Sequence, residues 1–451
     1  MQIIIYKILD LGGLMKNKNG WALLPIGIFV VLYLALGIIF EYALGISMGF
    51  YSVPIVVVFL VALLAACLQN RKLKLTEKLA IMGRGVGDGN IMTMIVIFMM
   101  AGVFVGVVGR ESAESVAYFV LSIVPPWLAV VMLFVVSCFV STAMGTSVGT
   151  ITLLVPISAA VATASGFSAP LCIGAVMGGA MFGDNLSFVS DTTIAACNGQ
   201  GCAMKDKFKT NFIIVIPAAI ATLIITLLLS LGADASEIVE KDYNLVQMIP
   251  YVLVLISGVI GINVFVTLLI GILSGTVIML STGAVGFFEL VSRMGAGASG
   301  MYETVMVTVL VSALCALIRE AGGFEALLSF IKRVFRGKKA GQLGMGLLVG
   351  AMDIATANNT VAIVMANPIA KEMAEDYGVS AKKTASILDT FSCIFQGFLP
   401  YGAQMLVAIS TAADAGVTVG PFEIIANLFY PALLLISSLV FIFIVPEKKA
   451  K

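Results

Sequence analysis

STAMGTSVGT (141–150) interrupts the apolar run 127–164, and DIATANNT (353–360) interrupts a second such run, 341–370. A membrane crossing takes about 20 apolar residues, so each run is too long for one crossing. Small polar residues in the middle of an apolar run free backbone groups at membrane depth. Such irregular backbone is tolerated there only inside protein or against a cavity. Two places in the chain therefore promise a polar interior.

The rest of the chain agrees with a membrane setting. Of its 451 residues, 60% are hydrophobic and 11% charged, against roughly 45–50% and 25% in soluble domains. That excess fits an all-α polytopic membrane protein of about ten spanning helices plus two hairpins. Lys+Arg 26 against Asp+Glu 25 leaves no basic excess for nucleic acid. There is no histidine, so proton chemistry falls to carboxylates. The seven cysteines are scattered through apolar runs and read as small core residues. No nucleotide-binding loop or clustered nucleophile–base pair points to an enzyme.

Apolar runs fall into two sets, at 20–232 and 246–445, joined by the acidic connector 233–245 with Asp234, Glu237, Glu240 and Asp242. Residues 1–19 read as an amphipathic lead-in and 446–451 as a basic tail, both cytoplasmic. Arg71, Lys72, Lys74, Lys78 and Arg84, then Lys205, Lys207 and Lys209, then Lys332, Arg333, Arg336, Lys338 and Lys339 mark cytoplasmic positions. All of these share one face if each broken run enters and leaves on the same side. A re-entrant hairpin does this, as would two crossings with a polar turn; the mid-run breaks favour the hairpin. Shifting 141–169 by 212 residues gives eight identities in 29 positions, Pro156/Pro368 and Gly166/Gly378 among them. Helix 91–109 runs outward and its counterpart 300–318 inward, so the fold expected is two inverted-topology repeats. Each carries a re-entrant hairpin and a discontinuous helix, the architecture of many secondary transporters.

The discontinuous helices are signalled by Gly183-Asp184-Asn185-Leu186-Ser187, leading to Ser190-Asp191-Thr192-Thr193, and by Gln396-Gly397-Phe398-Leu399-Pro400. Under the same shift Thr146 and Ser147 fall on Asn358 and Asn359, and Asp184 falls on Gln396. Two tips and two broken helices meeting at mid-membrane make one polar cage. Its hydroxyls, amides, freed carbonyls and carboxylates are hard oxygen donors, suited to Na⁺ and protons. An ionised Asp at a helix centre costs roughly 2.5–3.5 kcal/mol on insertion scales and marks function. The candidate Na⁺ ligands are Asp184, Asp191, Thr146 and Ser147, with Asn185, Ser187, Ser190 and Thr192 beside them. The second-half cage is Asn358, Asn359, Thr360, Asp389, Gln396 and Gln404.

Plainer roles compete with these. Gly/Ser/Thr-rich stretches also serve close helix packing, Asp184 could cap a helix end, and Asp191-Thr192-Thr193 could be an N-cap box. Asp353 and Asp389 fall opposite Ser141 and Met177, with no acidic counterpart. Each reads equally as an ion ligand, a hairpin anchor or a substrate contact.

GGAMFGDNLSFVSDTT (178–193) after STAMGTSVGT (141–150) resembles the NhaC-type Na⁺/H⁺ antiporter family, whose pattern is approximately GTSxGT followed by GDxxSPxSDTT. The resemblance implies an inverted-repeat ion transporter and carries an ion-site role onto Thr146, Ser147, Asp184, Ser187, Ser190, Asp191 and Thr192. The family's Pro is Phe188 here, and LDTFSCIFQGFLPYGAQM (388–405) departs from the second-half motif of its antiporter members. The family also contains members resembling amino-acid and carboxylate transporters.

The expectation is a Na⁺/H⁺ antiporter of the plasma (inner) membrane working by alternating access, with both termini cytoplasmic and no cofactor beyond Na⁺ as transported or coupling ion. The alternative is a Na⁺- or H⁺-coupled carrier of an amino acid or small organic acid. Membrane lipid, Na⁺ and H⁺ are the expected partners, with a second copy of the chain as the candidate assembly partner.

Overall fold

The computed structural model describes residues 19–46, 52–69, 71, 73–187, 190–232, 243–260 and 262–444. Most of the lead-in 1–19, the connector from 233 to 242, Lys72, Phe188 and the tail 446–451 lie outside the described residues. All regular structure among the described residues is helical.

The first half runs α1 (Leu24–Ile38), α2 (Ile55–Gln69), α3 (Leu75–Val86), α4 (Gly89–Ile123), α5 (Pro126–Met144), α6 (Ser147–Ser165), α7 (Ala169–Leu186), α8 (Asp191–Gln200) and α9 (Met204–Gly232). The second runs α10 (Leu245–Val259), α11 (Val264–Ser281), α12 (Phe287–Gly300), α13 (Tyr302–Glu320), α14 (Gly323–Val334), α15 (Lys338–Thr356), α16 (Asn359–Tyr377), α17 (Ala381–Phe398), α18 (Ala403–Asp414), α19 (Pro421–Ala426) and α20 (Phe429–Phe443).

Eight helical stretches among the described residues are long and apolar enough to cross a membrane, or nine if α17 and α18, bent by 42° at their break, form one span. Three further apolar helices, in α2, α10 and α20, are shorter; fifteen residues reach only about 22 Å. The two broken runs form the helix pairs α5–α6 and α15–α16, whose four arms are 19 residues each; α5 and α6 are each long and apolar enough to cross.

Helix α2 shows why the chain is a multi-pass membrane protein. Its inward stripe, Ile55, Val58, Phe59, Ala62 and Ala66, is buried, yet its opposite stripe, Val57, Leu60, Leu64 and Leu68, is equally apolar and exposed. A helix apolar all round while open on one side belongs against lipid. Helix α9 repeats the pattern with Ile213, Ile220, Ile224, Leu228 and Leu231 exposed. In contrast α6, α7 and α17 are buried along almost their whole length and form the centre of the molecule.

The halves repeat element by element. Helices α15, α16 and α17 each begin and end 212 residues after α5, α6 and α7, and α18 begins 212 after α8. Both tips turn through a left-handed residue, Gly145 at φ 70° and Ala357 at φ 50°. Ala357 is the only non-glycine with positive φ among the described residues; L-residues adopt that region at a cost of about 1–2 kcal/mol. Small residues set the closest helix crossings. A Cβ at Gly102 would lie 2.1 Å from the Gly297 carbonyl oxygen, so α4 and α12 touch backbone to backbone. A Cβ at Gly85 would meet the Ser312 carbonyl at 2.7 Å, where α3 crosses α13.

Candidate functional site

At each tip the residue before the second arm caps it. Thr146 Oγ1 accepts from the Gly149 amide at 3.3 Å, and Asn358 Oδ1 from the Val361 amide at 2.9 Å. Capping commits these oxygens to the helix start and leaves the next residues, Ser147 and Asn359, to reach inward. Both reach the same atom. Ser147 Oγ donates to Asp184 Oδ2 at 3.0 Å, and Asn359 Nδ2 approaches that oxygen at 3.5 Å.

The other carboxylate oxygen is met from the break after α7. Ser190 Oγ donates to Asp184 Oδ1, Thr192 Oγ1 donates to it at 3.3 Å, and the two hydroxyls lie 2.7 Å apart. Gln404 Nε2, from α18, donates to Ser147 Oγ at 2.8 Å. Asp184, Ser147, Ser190, Thr192 and Gln404 are all buried. The pairs Ser147/Asn359 and Thr192/Gln404 are each 212 residues apart; Ser147, Asn359 and Thr192 reach the carboxylate directly, and Gln404 reaches it through Ser147. Asn359 Oδ1 turns back to accept from the Thr360 amide at 2.9 Å.

Other sequence candidates are placed elsewhere. Gln396 lies in the last turn of α17, ahead of the break at Leu399–Gly402, and its Nε2 donates to the Ala357 carbonyl at 3.2 Å. The Ala403 amide donates to the same carbonyl at 3.3 Å. Asn185 turns away from Asp184, donating to the Met181 carbonyl at 2.9 Å and to Cys393 Sγ at 3.1 Å. Ser187 is buried at the end of α7. Asp191 is exposed in the first turn of α8 and makes no side-chain hydrogen bond among the described residues.

Asp389 is not in the Asp184 cluster. It forms a buried ion pair with Lys207, Nζ to Oδ2 2.7 Å, and accepts from Asn211 Nδ2 at 2.7 Å. Lys207 also donates to the Asn185 carbonyl at 3.0 Å and to Thr193 Oγ1 at 2.6 Å, and Asn211 donates to the Asn185 carbonyl at 2.9 Å. Lys207, counted from charge alone among cytoplasmic loop residues, is 1% exposed. Lys207 and Asn211, four apart on one face of α9, are the functional candidates that sequence reading missed; that spacing was the available signal. They tie α9 to α17 directly beneath the backbone that carries Asp184.

The cluster can hold a small hard cation: a carboxylate ringed by hydroxyl oxygens supplies the ligand type that Na⁺ takes. No group of three or more His, Cys, Asp and Glu side chains that could hold a metal occurs among the described residues.

Comparison with known proteins places the chain. The model of the Na⁺/H⁺ antiporter family matches residues 20–231 and 242–443, the two helical halves. The chain is 23% identical over 360 residues to the Na(+)/H(+) antiporter NhaC of Bacillus subtilis, covering 71% of this chain and 79% of that protein. It is 24% identical over 184 residues to the Malate-2H(+)/Na(+)-lactate antiporter of Bacillus subtilis, covering 38% of this chain and 39% of that protein. An uncharacterized Haemophilus influenzae protein is 33% identical over 139 residues, 30% of this chain and 27% of its own length. Among solved structures, the Alcanivorax borkumensis YdaH transporter aligns at TM-score 0.42 and 13% identity, over 79% of this chain and 89% of that one. Neisseria gonorrhoeae MtrF aligns at 0.43 and 13%, over 93% and 94%. Because the matched segments take in both halves and leave out only the connector between them and the ends, the chain belongs to the Na⁺/H⁺ antiporter family and is a secondary transporter.

Proposed function

We propose that the protein exchanges Na⁺ for H⁺ by alternating access, with Asp184 as the carboxylate the two ions share. The observation that carries this is the convergence of Ser147, Asn359, Ser190 and Thr192 on the Asp184 oxygens. A carboxylate in such a place must be neutralised, either by a proton or by a cation, and the two cannot be held at once. Competition for one group couples the fluxes. Asp191, exposed at the start of α8, serves as the approach carboxylate, and Thr146 orders the tip that carries Ser147.

In this reading the two halves are inverted repeats whose tips close on Asp184 from opposite sides. The protein lies in the plasma membrane with both termini cytoplasmic. Lys332, ion-paired with Glu372 and with Asp376 at 3.0 Å, then marks the cytoplasmic face. Those two carboxylates hold its ammonium above the usual lysine range.

A second reading has a specific observation behind it. The buried amide oxygens Gln396 Oε1, Gln404 Oε1, Asn185 Oδ1 and Asn211 Oδ1 have no hydrogen-bond partner among the described residues, and an organic solute bearing N–H or O–H groups would satisfy such acceptors. The similarity to a malate and lactate antiporter fits a carrier of that kind. Purified protein in liposomes separates the two. An imposed Na⁺ gradient should change lumenal pH with no organic solute present; strict dependence on an added amino acid or carboxylate would establish the second reading.

A further inference from the structure

Three carboxylates are buried in the helical centre, and their surroundings differ. Asp184 has its ring of hydroxyl and amide donors, and Asp389 has Lys207 and Asn211. Asp353, in the last turn of α15, is fully buried; among the described residues no side chain donates to its oxygens, and only the α17 backbone at Gln396 approaches them. A buried ionised carboxylate without a counter-ion is among the costliest arrangements a protein can contain.

The neighbouring groups are acceptors too. The one donor near the Asp353 carboxyl among the described residues is the α17 backbone at Gln396, which offers it a hydrogen bond, and both residues are fastened to Ala357. The Ala357 amide donates to the Asp353 carbonyl at 2.7 Å, while Gln396 Nε2 donates to the Ala357 carbonyl at 3.2 Å. Spending its N–H₂ group on that carbonyl leaves Gln396 Oε1 buried and unpartnered. Two further carbonyls of the tip are already bound: Ile354 accepts from the Tyr401 hydroxyl at 2.9 Å, and Ala355 from the Cys315 thiol at 3.0 Å.

We propose that the second tip holds a Na⁺ site of its own, with the Asp353 carboxylate as its charged ligand and Gln396 Oε1 as a neutral one. A cation satisfies buried oxygens that side-chain donors leave open, and one positive charge removes the penalty of the buried carboxylate. The 212-residue repeat gives the logic. At the first tip the carboxylate is Asp184 on α7 and the facing α5 position is Ser141; at the second tip the α17 position is Gln396 and the carboxylate has moved to Asp353 on α15. Each tip then carries one negative charge, and the transporter binds two Na⁺. The inference goes beyond the exchange proposed for Asp184 and does not depend on it.

Sodium titration calorimetry on purified full-length protein, in choline-based buffer at alkaline pH, tests the site. The wild type should bind two Na⁺ per chain and Asp353→Asn one. Asp184→Asn should also bind one, at the other site. Gln396→Met, which removes the neutral oxygen and no charge, should weaken the second site about tenfold; it decides the matter if Asp353→Asn does not give monodisperse protein. Wild-type stoichiometry and affinity in Asp353→Asn, or in Gln396→Met, would overturn the proposal, and Asp353 would then be a permanently protonated structural acid. If Asp184→Asn alone abolishes Na⁺ binding, the second site is refuted and the function proposed above stands. If Asp353→Asn removes one Na⁺ and Asp184→Asn none, the reverse holds.

Discussion

Asp184 is held at both oxygens by short side chains, and each contact can be removed singly. Ser147→Ala deletes a donor to Oδ2 and the group on which Gln404 rests. A hydrogen bond to a charged group contributes about 1.5–3 kcal/mol, so apparent Na⁺ affinity should fall at least about tenfold, read as the Na⁺ concentration for half-maximal exchange. Thr146→Ala removes a cap instead and should lower thermal stability, by about 1 kcal/mol, more than it changes Na⁺ affinity. The Lys207–Asp389 pair makes a different prediction. Breaking a buried pair from one side costs about 3–5 kcal/mol because a charge is left alone. Lys207→Met and Asp389→Asn should each destabilise the solubilised protein strongly, and the double variant less than their sum. Additive losses would show that the two residues do not act as a pair. At this scale Asp184, Ser147, Ser190 and Thr192 were legible because polar residues at a break in an apolar run have few other reasons to be there. Lys207 was not, because a lysine three residues into a helix has the same composition as a loop lysine; its burial depends on Asp389, far away in sequence.

Among the elements, the crossings of α4 with α12 and of α3 with α13 fix how the peripheral helices of one half lean on the other. Gly102→Ala would place a methyl 2.1 Å from the Gly297 carbonyl oxygen. Overpacking of this kind costs about 1–3 kcal/mol, so the unfolding temperature should fall. Gly27→Ala on α1, with nothing within 4 Å of the added carbon, should leave stability unchanged or slightly raised; equal losses in both would contradict the crossing. The breaks at Gly145 and Ala357 and the interruption after α7 were readable, since Gly, Ser, Thr and Asn clusters are rare in apolar runs. The interruption signalled by 396–400 falls in its second part: Gln396 and Gly397 still belong to α17, which ends at Phe398 and opens at Leu399, just ahead of Pro400 with no N–H to give. The full length of the second tip's arms was hidden, because the charged residues at their outer ends, Lys338, Lys339, Glu372 and Asp376, fall outside the apolar run 341–370.

For the whole molecule, the 212-residue repeat is seen in the bounds of six central helices, while eight identities gave only a trace of it in sequence. Lipid-facing and core positions are filled by the same apolar residues, so identity decays while helix lengths and tip geometry persist. The inverted arrangement proposed above predicts that a single cysteine placed anywhere in 333–339 of a Cys-less variant is labelled only from the cytoplasmic side. Labelling from outside would contradict it.

The central claim is that Na⁺ and H⁺ compete for Asp184. The direct measurement is the Na⁺ dissociation constant of the purified protein as a function of pH, in the wild type and in Asp184→Asn. Competition of one proton with one Na⁺ predicts that the wild-type constant rises about tenfold for each unit of acidification once the carboxyl is protonated, and that this component is missing from Asp184→Asn. A wild-type constant independent of pH, or the same pH dependence kept in Asp184→Asn, would contradict it.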